Sequence, residues 1–211
     1  RVIYGESRAH THRLITVSED FNKEYWTKAD WPYADKPILP VIKQNQVATV
    51  PTPNYPYHYM NSVFFDRAKL DHAVKLVSTS QEWCGTTLRE FQLHKDPAHY
   101  VYSSYWDGEG TGEAELENVG PETYFEEELP LLVRALEFED GLKASLQLQP
   151  NMTISKTPIP TPEDAVLEVS VPTGPLQVPA LGEALDSAEY WIVRVMARDG
   201  REWIFQVGRD Y

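Results

Sequence analysis

The chain holds one cysteine in 211 residues, so no internal disulfide can form and cysteine pairing gives no sign of the redox compartment. Positive charge is scarce: 19 Lys and Arg against 32 Asp and Glu leave a formal net charge of −13. Attraction to phosphate backbones or anionic headgroups rests on positive charge, which removes nucleic acid from the expected partners. No apolar run approaches the ~18 to 20 residues of a membrane-spanning helix, and no basic start leads into an apolar signal region. The first residue is Arg1 rather than Met, and the expectation drawn from it is a leader or anchor ahead of this segment. No Gly-x-Ser-x-Gly elbow is present for a serine hydrolase. The glycine-rich string at 107–112 is no phosphate cradle, since it lacks the lysine and the hydroxyl residue after it, and no repeat of fixed period recurs.

What the chain has is aromatic and proline-rich. Six Trp, 12 Tyr and 7 Phe favour half-buried pleated surfaces or interfaces, and 16 Pro work against long helices because each interior Pro removes a backbone donor. Period-two alternation marks strand candidates at residues 8–17, 41–50, 57–65, 73–82, 87–94, 98–106, 142–149, 165–171, 190–198 and 202–207. Asp199-Gly200 is a strong hairpin signal, and Gly85 marks a second turn. The glycines of 107–112 permit sharp loop conformations. The clearest helix candidate lies around residues 122–136, with Glu122, Glu126, Glu127 and Glu128 early and Arg134 late, the order that complements the helix dipole. Pro130 compromises its interior, so the regular part is expected to begin near Leu129. The expected fold is mainly β: antiparallel sheets in a sandwich or open barrel with that one short helix. A single β-rich domain, 1–211, is expected, with 172–185 as an internal linker too near the C-terminus to divide domains.

The string Ser78-Thr79-Ser80-Gln81-Glu82-Trp83-Cys84-Gly85 resembles the signature of a family of uncharacterised bacterial envelope lipoproteins, some carrying a doubtful septum-formation-inhibitor label. Tyr4-Gly5-Glu6, the run Ile15 to Phe21, and Tyr55-Pro56-Tyr57 ahead of Ala73-Val74-Lys75 are similar to the same family. Residues 126–141 and the closing hairpin resemble periplasmic β proteins of unknown function. The resemblance implies a β fold on the periplasmic side of the cell envelope, lipid-anchored through a cysteine ahead of this segment. It implies no activity, and the Pro-rich 33–56 region departs from the family pattern.

Among residues that carry chemistry, Cys84 is the one nucleophile candidate, with His72 and His94 the nearest imidazoles in sequence. Nothing in the spacing brings either to the sulfur, and a lone cysteine most often behaves as a small hydrophobe. His10 and His12 share a strand face about 7 Å apart, a span two ligands of one metal ion can bridge. A third ligand from His58, His99 or a carboxylate is required, and a solvated polar face is the competing reading. Asp107 and Glu109 on the glycine-rich loop are oxygen donors for a hard cation, against the simpler reading of a solvated turn. The acids 126–128 point in different directions from a helix start, which their charge explains without catalysis. Tyr25, Trp26, Trp31 and Tyr33, with Tyr55, Tyr57 and Tyr59, form the most suggestive feature, since Tyr and Trp are enriched where proteins meet. Core filling is the alternative.

The first expectation is therefore a non-enzymatic envelope protein acting through contacts with other envelope or membrane-complex proteins, as an extramembrane accessory subunit, with no cofactor. The alternative is a binding module for a small apolar or lipid-like ligand held by curved sheets. A thiol-dependent enzyme using Cys84 comes third.

Overall fold

The computed structural model describes residues 2–3, 5–152, 159–178 and 183–209. Tyr4 of the opening motif and residues 179–182 of the expected linker lie outside them. The chain divides into two compact units: unit 1 comprises residues 1–119 and 151–160, and unit 2 residues 120–150 and 161–211. The sheets of both curl into half-barrels, the mainly β fold expected from the sequence.

Unit 1 contains β1 (Val2–Ile3), β2 (Glu6–Ser7), β3 (Thr11–Asn22), β4 (Thr27–Lys28), β5 (Ile38–Val50), β6 (Tyr57–Asp66), β7 (Lys69–Gln81), β8 (Thr86–Gln92), β9 (Ala98–Ser104) and β10 (Thr111–Leu116). Its main sheet has the order β10-β9-β8-β7-β6-β5-β3-β4, with all neighbours antiparallel. Sequence neighbours pair because the turns are short. The β7–β8 turn is closed by the Glu82 N–H donating to the Gly85 carbonyl (2.9 Å) and the Gly85 N–H to the Glu82 carbonyl (3.2 Å). Between β9 and β10, Gly108 and Gly110 adopt φ of +87° and +66°, conformations nearly closed to residues with a Cβ.

Alternation along these strands separates two faces. One carries Phe21, Val41 and Phe64, with Trp26 and Val77 packed on them. The other carries Ala48, Val50, Tyr57 and Tyr59 at one end and a buried polar row farther along, described below.

Unit 2 contains β11 (Thr123–Phe125), the short helix α1 (Leu129–Leu132) after a single 3-10 turn, β12 (Lys143–Gln149), β13 (Glu163–Ser170), β14 (Leu176–Val178), β15 (Glu183–Leu185), β16 (Tyr190–Ala197) and β17 (Glu202–Gly208). Its main sheet runs β11-β12-β13-β16-β17, parallel only at β11–β12. Leu129, Leu132, Leu146, Leu148, Leu167, Val169, Val193 and Val195 are among its buried core residues. The helix begins at Leu129 with Pro130 in its first turn, where a missing N–H costs nothing. Buried Glu128 accepts a hydrogen bond from the Phe125 N–H at 3.1 Å, so this acid serves the helix start. At the β16–β17 hairpin Gly200 has φ of +90°, and the Arg201 side chain gathers Asp199, Glu126 and Glu163. The expected linker contains the β14–β15 hairpin.

Candidate functional site

The register of unit 1 aligns one residue from each of seven strands into a row across the sheet: Leu14, Gln46, Asn61, Ser78, Arg89, Tyr102 and Gly112, each directly opposite the next. Its middle is polar and inaccessible. Gln46, Asn61, Ser78 and Arg89 are all buried, with Ser78 1% and Arg89 3% exposed. The adjacent row, Gln44, Val63, Leu76, Phe91, Tyr100 and Ala114, is apolar apart from Gln44. On the other side Ala48, Tyr59, Ser80, Thr87 and Ser104 follow one another.

Part of the polar row is internally satisfied. The Asn61 amide donates to Gln46 Oε1 (3.4 Å), the Gln46 amide to Gln44 Oε1 (3.1 Å), and the Gln44 amide to Thr16 Oγ1 (3.2 Å). Each donor points the same way along this chain, which leaves Asn61 Oδ1 at its head as a buried acceptor with no partner. Ser78 Oγ and Ser80 Oγ are likewise buried without a hydrogen bond. A buried polar atom left unpaired costs roughly 1 to 3 kcal/mol, so three on one face make a concentration of unmet hydrogen-bonding capacity.

The row runs into a cavity of about 520 Å³. Arg89, Tyr100, Tyr102 and Ala114 line it from the sheet, Gly108 and Glu109 from the β9–β10 loop, and Ile159 from the returning segment of unit 1. Tyr100 and Tyr102 stack with centroids 5.1 Å apart, and Tyr100 stacks on Phe91 at 4.8 Å. A Cβ at Gly112 would lie 2.6 Å from the Tyr102 hydroxyl, so glycine in β10 is what allows that ring its place. Burial pushes the Tyr100 phenol up to about 12, with Glu109 adding to the rise and Arg89 opposing it, which keeps its O–H protonated at physiological pH. Glu109 Oε2 lies 3.5 Å from the Arg89 guanidinium. Both Glu109 oxygens are out of solvent, yet neither is hydrogen-bonded. The lining thus carries one charge of each sign, two aromatic side chains and a surplus of acceptors.

Of the residues picked out by sequence, Glu109 lines this cavity and the aromatic, cysteine and histidine candidates fall elsewhere. Tyr25, Trp31 and Tyr33 are exposed, Trp31 at 84%. Trp26 instead stacks on His94 at 3.4 Å. Tyr57 and Tyr59 are buried in a core cluster with Tyr55 against it. The ring of Tyr55 stacks on Trp83, which is 76% exposed. Within the Gln81-Glu82-Trp83-Cys84-Gly85 string, Gln81 ends β7 and Glu82 is buried. Cys84 is exposed, with its sulfur 2.8 Å from the Tyr55 hydroxyl. His94 is held by Trp26 and by the Val74 carbonyl at 3.2 Å rather than by that thiol.

His10 and His12 do meet, edge to face at 5.1 Å. However, His58 contacts Thr49 and His99 contacts Glu113. Among the described residues no group of three or more His, Cys, Asp or Glu is placed to hold a metal ion. Glu109 is a wall of the cavity rather than part of a solvated turn. Among the described residues no helix is long and apolar enough to cross a membrane.

Arg89, Tyr100, Tyr102 and Ser78 escaped sequence reading. The one local signal was a cation at the centre of the alternating run Thr87, Arg89, Phe91, on the side that also carries the apolar residue.

No family model, curated protein or solved structure matches this chain.

Proposed function

We propose that unit 1 is a binding module for a small molecule carrying both an apolar face and polar groups, held in the cavity between β8, β9, β10 and the β9–β10 loop. The observation that carries this reading is the cavity of about 520 Å³ at the end of a buried row in which Asn61 Oδ1 and Ser78 Oγ have no hydrogen-bond partner. Its volume falls within the ~300 to 1,000 Å³ of small-molecule sites, which combine mostly apolar walls with a few placed polar groups. The test is a thermal-shift screen of a fragment library against the wild type and Ala114→Trp. Ala114 is exposed at the cavity wall, so tryptophan there fills the space without displacing the core. Hits that stabilise the wild type and not the variant support the reading; hits indifferent to the substitution count against it.

A second reading, an envelope accessory protein acting through protein contacts, is favoured by the outward display of Trp31 and Trp83, 84% and 76% exposed. Its envelope location and lipid anchoring follow from the resemblance of the Gln81 to Gly85 string alone. Crosslinking in native membranes tests it, with Trp31→Ala and Trp83→Ala expected to lose the crosslinked partner. An enzyme acting through Cys84 ranks third, supported by the exposure of that thiol.

A further inference from the structure

We propose that the ligand of the unit 1 cavity is a neutral polyhydroxylated ring, a saccharide, whose hydroxyls hydrogen-bond the Glu109 carboxylate and the Arg89 guanidinium while its C–H face lies on Tyr102. The inference rests on the binding-module reading above and adds the chemical class of the ligand.

Charge decides first. Arg89 and Glu109 both line the cavity and lie 3.5 Å apart. An anionic ligand reaching Arg89 meets the Glu109 carboxylate at close range, and a cationic ligand reaching Glu109 meets the guanidinium. A neutral molecule with donors and acceptors on adjacent atoms engages both and opposes neither.

Hydrogen-bonding demand decides second. Both Glu109 oxygens are buried with no hydrogen bond. These atoms require O–H or N–H donors. The Glu109–Arg89 contact has no hydrogen bond of its own, and a buried ion pair with poor geometry regains little of its desolvation cost. Inserting hydroxyls between the two charges converts it into charge-assisted hydrogen bonds.

Shape decides third. Tyr100 and Tyr102 present aromatic surface in the cavity wall, and Gly112 leaves the Tyr102 hydroxyl room above β10. An aromatic face beside a carboxylate and a guanidinium suits a ring with apolar C–H faces and a polar rim.

The experiment is saturation-transfer NMR on the intact chain with three sets of probes: neutral sugars (glucose, galactose, mannose, N-acetylglucosamine and their disaccharides), p-hydroxybenzoate as the anion and tyramine as the cation. Each is run against the wild type, Glu109→Gln and Ala114→Trp. At least one neutral sugar is expected to bind the wild type, about ten-fold more weakly to Glu109→Gln through loss of a charge-assisted hydrogen bond, and not at all to Ala114→Trp. Binding of p-hydroxybenzoate that strengthens in Glu109→Gln while no sugar binds overturns the saccharide assignment and leaves the binding-module reading intact. Tyramine binding abolished by Glu109→Gln with no sugar bound does the same. Failure of all three sets to bind, or binding unchanged by Ala114→Trp, overturns the module reading and the assignment together.

Discussion

Replacing Ser78 with alanine is expected to make unit 1 more stable, the reverse of the usual outcome for a residue 1% exposed. The Ser78 hydroxyl is buried with no hydrogen bond, so folding strips its water and returns nothing. That desolvation is worth roughly 1 to 3 kcal/mol. Alanine removes one oxygen and its dispersion contacts, at ~0.1 to 0.2 kcal/mol each and on the order of 0.5 kcal/mol together. The balance is a gain of about 1 kcal/mol. Ser80, 4% exposed and likewise unpartnered, should give a similar gain. The two side chains sit about 7 Å apart along one strand face, so the double substitution is expected to approach 2 kcal/mol.

Urea unfolding followed by the indole NMR signals of Trp26, Trp31, Trp83 and Trp106, separate from those of Trp191 and Trp203 in unit 2, reports on unit 1. With an m-value near ~2 kcal/mol per molar, each substitution should raise the midpoint by about 0.5 M. Gln44→Leu is the opposing control. Gln44 accepts from Gln46 and donates to Thr16, so Gln44→Leu breaks two hydrogen bonds in the polar network and should cost about 1 to 3 kcal/mol. A lowered midpoint for Ser78→Ala would refute the reasoning, because it would mean that the hydroxyl has a partner in the folded state.

Four further outcomes are expected. In a spectrophotometric titration a phenol ionising near pH 12 should be present in the wild type and missing from Tyr100→Phe. Because the folded phenol is raised from 10.0 to about 12, stability is unaffected below pH ~10 and falls as pH rises from there toward 12. His94 is held below its ordinary 6.5, chiefly by burial, so its contribution is present above that pH and lost as pH falls through the lowered value. His94→Phe should flatten this limb of a pH series of melting temperatures. Arg201→Met in unit 2 strands Glu126, Glu163 and Asp199 and should cost about 1 to 2 kcal/mol in urea at neutral pH, since Glu126 is largely buried beside it. Gly112→Ala forces the Tyr102 hydroxyl to move and should weaken cavity ligands several-fold in NMR titrations while shifting the melting temperature little.

Features of the fold set by neighbouring residues were legible before the structure. Asp199-Gly200 and Gly85 read correctly as turns because hairpin geometry is decided by a few adjacent residues. Pro130 marked where regular helix begins for the same reason. Strand β10 went unread because Gly108, Gly110 and Gly112 suggested only a loop. Its remaining residues include Glu113 and Glu115, polar as an edge strand facing water often is.

The candidate site was illegible for a related reason. Arg89, Tyr102 and Glu109 meet only through the β8–β9 register and a loop that folds back over the sheet, and register is a property of pairs of strands. Among the seven aromatics, alternation with His58 and Met60 turns Tyr57 and Tyr59 inward. Tyr25, Trp31 and Tyr33 lie in the connection between β3 and β5, where no alternation decides burial.

The ligand site proposed for unit 1 is the end of the buried polar row. Amide chemical-shift mapping of the intact chain with the best-binding small molecule tests it most directly. The largest shifts are expected at Arg89, Tyr100, Tyr102, Glu109 and Gly112. Shifts centred instead on Tyr25 to Tyr33, or on Trp83 and Cys84, with those five amides unmoved, would contradict it.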